Sequence, residues 1–237
     1  MTLGEEVREK AAALGIEVPK EANRLFERHA AMVDEWNQRL NLTRIPKEEA
    51  AEKHFLDSLT VLLITEVVSA GRLVDVGSGA GFPGISLKAV KPDLEVTLVD
   101  SLGKRVKFLE SVIRALNLEG ISCYHARAED IGRDERHREK YDVAVARAVA
   151  SLAVLSEYLL PLVRVGGVMV AMKGPTGKDE VEEARLALDE LGGELRGTVE
   201  TRLPSGDARQ LLVVDKVKQT PMQYPRRAGI PSKKPLV

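Results

Sequence analysis

The chain has 237 residues, of which 44% are hydrophobic and 30% are charged, and its formal net charge is -1. This length suits one α/β domain with a small appendage, and the near-zero charge excludes a protein that attracts polyanions over its whole surface. A single cysteine, Cys123, excludes an internal disulfide and a thiolate-rich zinc site. No apolar run reaches the roughly 20 residues that a membrane helix needs. We therefore expect a cytoplasmic protein without a membrane segment or a metal site.

Residues 1–68 carry a helical pattern. The apolar positions of the first long stretch recur at spacings of three, four and seven, as one buried helix face requires: Leu25, Met32, Val33, Trp36 and Leu40. A second stretch places His54, Asp57 and Ser58 on one helix face, as a buried polar cluster or as a substrate contact. No glycine-rich linker follows, so we predict an N-terminal helical cap packed on the main domain.

Between residues 69 and 218, apolar strand patterns alternate with helical patterns. The strand patterns are RLVDV, EVTLVD, ISCYHA, YDVAVAR and GGVMVAMKG. Such alternation predicts an α/β fold with a mostly parallel sheet. The segments ELRGTVETRL and RQLLVVDKVK then flank a PSGD turn, which predicts a final antiparallel hairpin. Such a hairpin separates methyltransferase-type sheets from those of dinucleotide dehydrogenases.

The stretch LVDVGSGAGFPG, residues 73–84, ends the first strand pattern with four glycines in eight positions. A glycine-rich turn between a strand and a helix presents free backbone N–H groups and lets a ligand approach the main chain. A side chain at Gly77, Gly79 or Gly81 would fill the space that a ribose or a methionine backbone needs. We predict a nucleotide site here, against the alternative of a tight turn without a ligand.

Two classes of nucleotide fit this turn. Residues 79–84 match the G-x-G-x-x-G pattern of dinucleotide enzymes, and Asp100, with Ser101 beside it, ends the next strand, where a carboxylate accepts the ribose hydroxyls of any adenosine. Asp75 favours S-adenosylmethionine, because it would reach a cationic amino group that a dinucleotide lacks. Pro83 also favours it, since it removes an N–H donor that a pyrophosphate would use. We predict a methyltransferase, with a dehydrogenase as the alternative.

The third and fourth strand patterns also end in polar residues. Ala128 and Glu129 offer backbone and acidic groups to the exocyclic amine of an adenine, or else form a solvated acidic stretch. Arg147 follows the fourth strand, at the edge where open α/β sheets bind ligands. An arginine there needs a carboxylate, a phosphate or a base edge as its partner. We therefore assign Arg147 to the site.

Basic residues form two groups of candidate contacts to a nucleic acid or another polyanion. Lys104 and Arg105 follow the second strand pattern, and Lys173 ends the fifth. Residues 219–237 contain prolines and basic residues without an acid, so we separate them as an arm that is either solvated or bound to a polyanion. The candidate contacts of this arm are Arg226, Arg227, Lys233 and Lys234. If the arm binds a polyanionic acceptor, removing the residues after Asp215 should abolish modification of that acceptor and leave cofactor binding nearly intact.

Short motifs along the whole chain resemble the glucose-inhibited division protein B family of bacterial small-subunit rRNA methyltransferases. The motifs are WNQRLNLT (36–43), HFLDSL (54–59), DVGSGAGFPGI (75–85), LVDSLGKRVKFL (98–109), ARAVASL (146–152), MKG (172–174) and YPRRAGIPSKKPL (224–236). DVGSGAG alone is shared by many methyltransferases, whereas the combination is specific.

The resemblance implies a class I methyltransferase, Rossmann-like with a seven-stranded sheet, that uses S-adenosylmethionine. We expect the protein to be a monomer. It implies that Gly77 and Phe82 contact the cofactor, that Ala128 and Glu129 hold its adenine side, and that Arg147 lies in the binding site. Phe82 replaces the leucine typical of the family and keeps an apolar contact. The implied reaction methylates N7 of guanine 527 in the 530 loop, and the implied partner is 16S rRNA or the small ribosomal subunit, not DNA.

Guanine N7 carries an in-plane lone pair and no proton, so it attacks a sulfonium methyl group without a general base. The enzyme then has to align donor and acceptor, which predicts no catalytic triad, no metal and no essential cysteine. Arg147 is the predicted catalytic residue, with guanine O6, a neighbouring phosphate or the cofactor carboxylate as its partner. Two other functions stay open: methyl transfer to another acceptor, and RNA binding by a module that keeps the cofactor fold without turnover.

Overall fold

A computed structural model describes all residues from 1 to 237 and contains one seven-stranded sheet. Its strands are β1 (Arg72–Val76), β2 (Glu95–Asp100), β3 (Ile121–His125), β4 (Tyr141–Arg147), β5 (Val163–Lys173), β6 (Gly193–Arg202) and β7 (Ala208–Lys216). The spatial order is β3-β2-β1-β4-β5-β7-β6, and neighbours from β3 to β5 are parallel. The predicted α/β fold with a mostly parallel sheet is confirmed.

Helices cover both faces of the sheet. They are α1 (Leu3–Ala13), α2 (Ala22–Leu40), α3 (Asp57–Leu59), α4 (Thr65–Ser69), α5 (Gly84–Val90), α6 (Gly103–Ala115), α7 (Ala128–Ile131), α8 (Leu152–Leu159), α9 (Arg185–Leu191) and α10 (Ile230–Lys233). Successive residues of β1 face different hydrophobic clusters: Leu73 packs with the N-terminal helices, and Val74 packs with α8 and α9. This two-sided burial explains why the strand reads as a continuous apolar run. No helix combines the length and the apolar character that crossing a lipid bilayer requires.

The sheet ends in the antiparallel hairpin that the PSGD turn predicts. β7 runs antiparallel to both β5 and β6. Hydrogen bonds from Leu203 N to Asp207 O (3.0 Å) and from Gly206 N to Leu203 O (2.8 Å) close the turn. Because β7 is reversed, it begins where β5 ends, with Gln210 opposite Lys173. The hairpin turn therefore lies at the carboxyl edge of the parallel strands.

The N-terminal helices share a hydrophobic core with the sheet. One cluster of 36 buried residues extends from Val7 in α1 through Phe26 in α2 to Leu98 in β2. The helices of residues 1–68, which we call the cap, therefore bury apolar side chains against the main domain. The cap is also fastened to the hairpin turn, because the Glu52 carboxylate accepts the Ser205 N–H at 2.6 Å.

The C-terminal residues 219–237 fold against the main domain, in contrast to the predicted separate arm. Arg138 donates to the carbonyl oxygens of Thr220 (2.6 Å) and Tyr224 (2.8 Å), and Arg133 donates to that of Pro225 (2.7 Å). Tyr224 is buried in the core. Removing the residues after Asp215 would strip these contacts, so the expectation that such a deletion spares cofactor binding is not supported by the packing.

Arg226 anchors this C-terminal segment. Its guanidinium group forms a bidentate ion pair with Glu157 of α8, with N–O distances of 2.6 to 3.1 Å, and the Glu157 side chain is only 1% exposed. The pair engages Nε and Nη2 of Arg226 but not Nη1, so it fixes the segment without excluding a phosphate contact. Arg226 is therefore a structural anchor and its contact with RNA stays a prediction, whereas Arg227 next to it is exposed.

The substitution Arg226→Gln should lower the free energy of unfolding by about 3 kcal/mol, because it leaves the buried Glu157 carboxylate without its cation. This value is the lower end of the usual range, since the Arg226 side chain is itself 25% exposed. Arg227→Gln is the matched control and should change stability by less than about 0.5 kcal/mol. Urea denaturation compares them, and equal effects would contradict the anchoring role.

Candidate active site

A cavity of about 610 Å³ lies at the carboxyl edge of the sheet, between the strands and the cap. Ligands of open α/β sheets bind at this edge. Of the residues predicted for the site, those that line the cavity are Gly77, Gly79, Phe82, Asp100, Ser101, Arg105, Arg147 and Lys173. The predicted residues that do not line it are Asp75, Gly81, Lys104, Ala128, Glu129, Arg226, Arg227, Lys233 and Lys234.

The glycines of the loop after β1 serve different purposes. A Cβ atom at Gly77 would lie 2.7 Å from Val149 Cγ2, and one at Gly81 would lie 2.5 Å from Ile85 Cδ1. These two glycines therefore make room for protein atoms, and their contact with the cofactor stays a prediction. Gly79 has only a backbone oxygen at 3.8 Å near such a Cβ, and because it lines the cavity, the space beside its main chain is open to a ligand.

Asp100 ends β2 and holds the loop from the sheet side. Its two carboxylate oxygens accept the N–H groups of Gly79 and Leu102, both at 2.9 Å. The Arg105 guanidinium group lies 3.6 Å away. Each carboxylate oxygen has a second lone pair, so Asp100 retains the capacity to accept two hydroxyl groups of a ribose in the cavity.

Asp75 is fully buried beneath the loop and does not reach the cavity. Its Oδ2 accepts the Gly84 N–H at 2.9 Å, and its Oδ1 has no hydrogen-bond partner. Burial raises the pKa of Asp75 to about 7, because a carboxylate charge is poorly solvated there. The structure therefore places Asp75 under the start of α5, away from a direct contact with a cationic ligand.

Ala128 and Glu129, predicted on the adenine side, lie at the start of α7 and outside the cavity. The Glu129 side chain is buried, and its Oε1 accepts the Gly229 N–H of the C-terminal segment at 2.7 Å. The C-terminal segment thus covers the residues at which the resemblance places the adenine. Their contact with the cofactor stays a prediction.

One buried carboxylate joins two arginines on the other side of the cavity. Asp57 Oδ2 accepts from Arg147 Nη1 at 2.9 Å, and Asp57 Oδ1 accepts from Arg209 Nε at 2.7 Å. We call these three residues the Asp57 cluster, and all of them line the cavity. Asp57 comes from the cap, Arg147 from β4 and Arg209 from β7, so the cluster ties the cap to two strands.

Sequence reasoning did not identify Arg209. The signal for it was present in the predicted hairpin, because a strand antiparallel to its neighbours begins at the edge where they end. Arg209 follows the PSGD turn by two residues and therefore lies at the carboxyl edge beside Lys173.

His54 and Phe82 form a stacked pair in the cavity wall. Their ring centroids are 4.4 Å apart with 3° between the ring planes, and the Arg147 guanidinium carbon lies 5.4 Å from the Phe82 ring centroid. Burial and the nearby charge of Arg147 lower the pKa of His54 to about 3, so the imidazole is neutral. Ser58, predicted on the same helix face, donates to the His54 carbonyl oxygen instead of facing the cavity.

The lysines predicted to bind RNA differ in their surroundings. Lys173 lines the cavity but is paired with Glu180 at 2.8 Å and donates to Ala150 O at 2.5 Å. Among the other predicted RNA contacts, four are exposed and lie outside the cavity: Lys104, Arg227, Lys233 and Lys234. No group of histidine, cysteine or carboxylate side chains is arranged to hold a metal ion.

The strand order with its terminal hairpin, the glycine-rich loop after β1 and the carboxylate at the end of β2 define a class I methyltransferase. The fold resembles that of the cofactor-bound Rv0187 protein from MTB, with a TM-score of 0.61 and 15% sequence identity over 82% of this chain and 91% of that chain. It also resembles a mutant 16S rRNA (adenine(1408)-N(1))-methyltransferase from Catenulisporales acidiphilia, with a TM-score of 0.53 and 15% identity over 66% and 90% of the two chains.

The family model described as rRNA small subunit methyltransferase G matches residues 22–204. Relatives with this description include proteins from Desulforamulus reducens, 48% identical over 97% of both chains, and from Pelotomaculum thermopropionicum, 48% identical over 99% of both chains. The chain belongs to the rRNA small subunit methyltransferase G family, which confirms the resemblance seen in the sequence. As a methyltransferase of this fold, it uses S-adenosylmethionine as its cofactor.

The substitution Gly79→Ala should weaken binding of S-adenosylhomocysteine, because it adds a side chain where the main chain is open to the cavity. Gly206→Ala in the hairpin turn is a matched control, since both glycines have positive φ (58° and 93°) and no side chain within 4 Å of the added Cβ. Both variants should lose about 1 kcal/mol of stability from left-handed strain. Calorimetric titration should show weaker binding in the first variant only, and equal affinities would contradict the assignment.

The pH dependence of stability should reveal the buried Asp75. Its pKa is raised in the folded state, so the folded protein holds a proton that the unfolded chain releases, and stability is lost as the pH rises from about 4 to about 7. Asp75→Asn removes this titration and keeps an oxygen for Gly84 N–H. We therefore expect its stability relative to the wild type to increase from about pH 4 to about pH 7 and to level off above that. A difference that does not change with pH would refute the raised pKa.

Proposed function

We propose that the protein transfers a methyl group from S-adenosylmethionine to N7 of a guanine in 16S rRNA, guanine 527 of the 530 loop. The observation that carries the proposal is the division of the cavity into two walls. One wall has the open main chain of Gly79 and the carboxylate of Asp100, and the other has the cationic Asp57 cluster. The first suits a nucleoside donor, and the second suits an acceptor within a polyanion.

The donor's residues follow from the geometry of the first wall. Asp100 keeps acceptor capacity for the ribose hydroxyls, and Gly79 leaves its main chain accessible. Phe82 lines the cavity between the two walls and offers an apolar surface to the sulfonium methyl region. When bound, S-adenosylmethionine supplies an electrophilic methyl group, and the protein's own residues hold it and exclude water.

The protonation chemistry of the second wall supports N7 as the acceptor atom. Both oxygens of Asp57 are engaged by guanidinium groups, and His54 is neutral, with its Nε2 3.1 Å from Thr43 Oγ1. The wall therefore offers no free general base. Guanine N7 needs none, because its lone pair attacks the methyl group directly, whereas an exocyclic amine or a hydroxyl group has a proton to lose.

Arg147 is the proposed contact of the reacting guanine. Its Nη1 is committed to Asp57 and to the Lys53 carbonyl oxygen, while its Nη2 lies 3.4 Å from His54 Nδ1. The guanidinium plane is thus fixed, and its remaining N–H groups are left to a guanine O6 or a phosphate oxygen. Positive charge develops on the purine during transfer, and the Asp57 carboxylate moderates the cationic surroundings.

The test is a methylation assay with radiolabelled S-adenosylmethionine and small ribosomal subunits or 16S rRNA that lack the modification. Chemical cleavage at 7-methylguanine should map the product to guanine 527, and RNA with adenine at that position should accept no label. Label at another base would contradict the proposed site, and label in protein or small molecules alone would favour a different acceptor. Arg147→Ala should abolish turnover and keep RNA binding; retained turnover would remove Arg147 from the mechanism.

A further inference from the structure

We propose that His29, a residue of the cap, positions the glycine-rich loop that holds the methyl donor. His29 lies in α2 and is 1% exposed, and it does not line the cavity. It therefore acts through the loop and does not touch the substrates. The inference depends on the proposed function only in assigning this loop to the donor.

A single hydrogen bond joins His29 to the loop. His29 Nε2 lies 2.8 Å from the carbonyl oxygen of Ala80. A carbonyl oxygen only accepts, so Nε2 carries the proton and donates it. No backbone N–H group donates to this oxygen, and Ala80 is buried. His29 therefore satisfies a carbonyl group that would otherwise be buried without a donor, a situation that folded proteins avoid.

The imidazole ring also packs against the residues that follow Ala80. It stacks on the Phe82 ring with a centroid distance of 4.7 Å and 21° between planes, and it contacts the Phe55 ring edge-on at 5.6 Å. A Cβ atom at Gly81 would lie 3.3 Å from His29 Cε1. The cap thus fixes both the direction of the Ala80 carbonyl group and the place of the next two residues.

The unpaired Nδ1 nitrogen of His29 argues that the residue positions the loop and does not merely fill space. His29 Nδ1 is buried and has no hydrogen-bond partner. Burial lowers the pKa of His29 to about 4, so the ring is neutral and donates through Nε2 alone at neutral pH. A phenylalanine would fill the same space without a stranded nitrogen. Compared with a phenylalanine, the imidazole adds the hydrogen bond to the Ala80 carbonyl oxygen.

The loop is consequently held from two sides. Asp100 accepts the Gly79 N–H from the sheet, and His29 donates to the Ala80 carbonyl oxygen from the cap. Gly79 and Ala80 are consecutive and both line the cavity. Removing either of these hydrogen bonds should change the loop surface that contacts the donor and leave the acceptor wall in place.

The test compares two variants of His29 that each remove one of its two interactions, the hydrogen bond or the aromatic stack. His29→Phe keeps the aromatic stack and loses the hydrogen bond, whereas His29→Gln keeps an N–H donor and loses the stack. His137→Phe is the control, because His137 is another buried histidine, bonded to Tyr141 and remote from the cavity. Calorimetry measures S-adenosylhomocysteine affinity, kinetics gives KM and kcat, and thermal melting reports stability.

We expect His29→Phe to weaken S-adenosylhomocysteine binding about tenfold and to raise KM for the donor in proportion, with kcat and KM for RNA little changed. His29→Gln should recover most of the affinity. The control should melt at a lower temperature and bind normally. If His29→Phe binds as tightly as the wild type, the residue only packs and the proposal fails, whereas a wild type that binds the nucleoside but does not methylate rRNA refutes the proposed function alone.

A measurement on the unaltered protein keeps the proposal testable if a variant does not fold. Nitrogen-15 NMR at neutral pH should find His29 as the Nε2–H tautomer, with a proton that exchanges slowly and shifts when S-adenosylhomocysteine is added. The Nδ1–H tautomer would overturn the proposal, and so would a resonance that does not respond to the nucleoside.

Discussion

The carboxylate of Asp57 determines how the cap meets the sheet. Its two oxygens receive guanidinium groups from Arg147 of β4 and Arg209 of β7. A buried carboxylate is costly unless it is paired, so both arginines help to hold the cap against the sheet, in addition to the hydrophobic core that the two share. The same bonds orient the two guanidinium groups towards the cavity. Architecture and the cationic character of the acceptor wall therefore depend on one residue.

The sheet could be predicted from sequence because its signals are local. Apolar runs separated by helical patterns give the parallel strands, and the PSGD turn gives the hairpin. Asp100 and Arg147 could be placed at one edge because each directly follows a strand of a parallel sheet. The partner of Arg226 could not be predicted, since Glu157 lies 69 residues away and no pattern links the two.

The glycines of the loop after β1 cannot all be explained by a ligand. The sequence indicates a loop open to a ligand, and Gly79 fits that purpose. Gly77 and Gly81 are glycines for another reason, namely the closeness of Val149 and Ile85. Tertiary neighbours of this kind leave no mark in a single sequence.

The hydrogen bond between Glu52 and Ser205 has a consequence for movement of the cap over the cavity. It fastens the cap on the hairpin side, while the Ala80 carbonyl fastens it on the opposite side. A cap that is hydrogen-bonded at two separate places cannot rotate about one of them without breaking the bond at the other. Moving the cap away from the cavity therefore requires both hydrogen bonds to break.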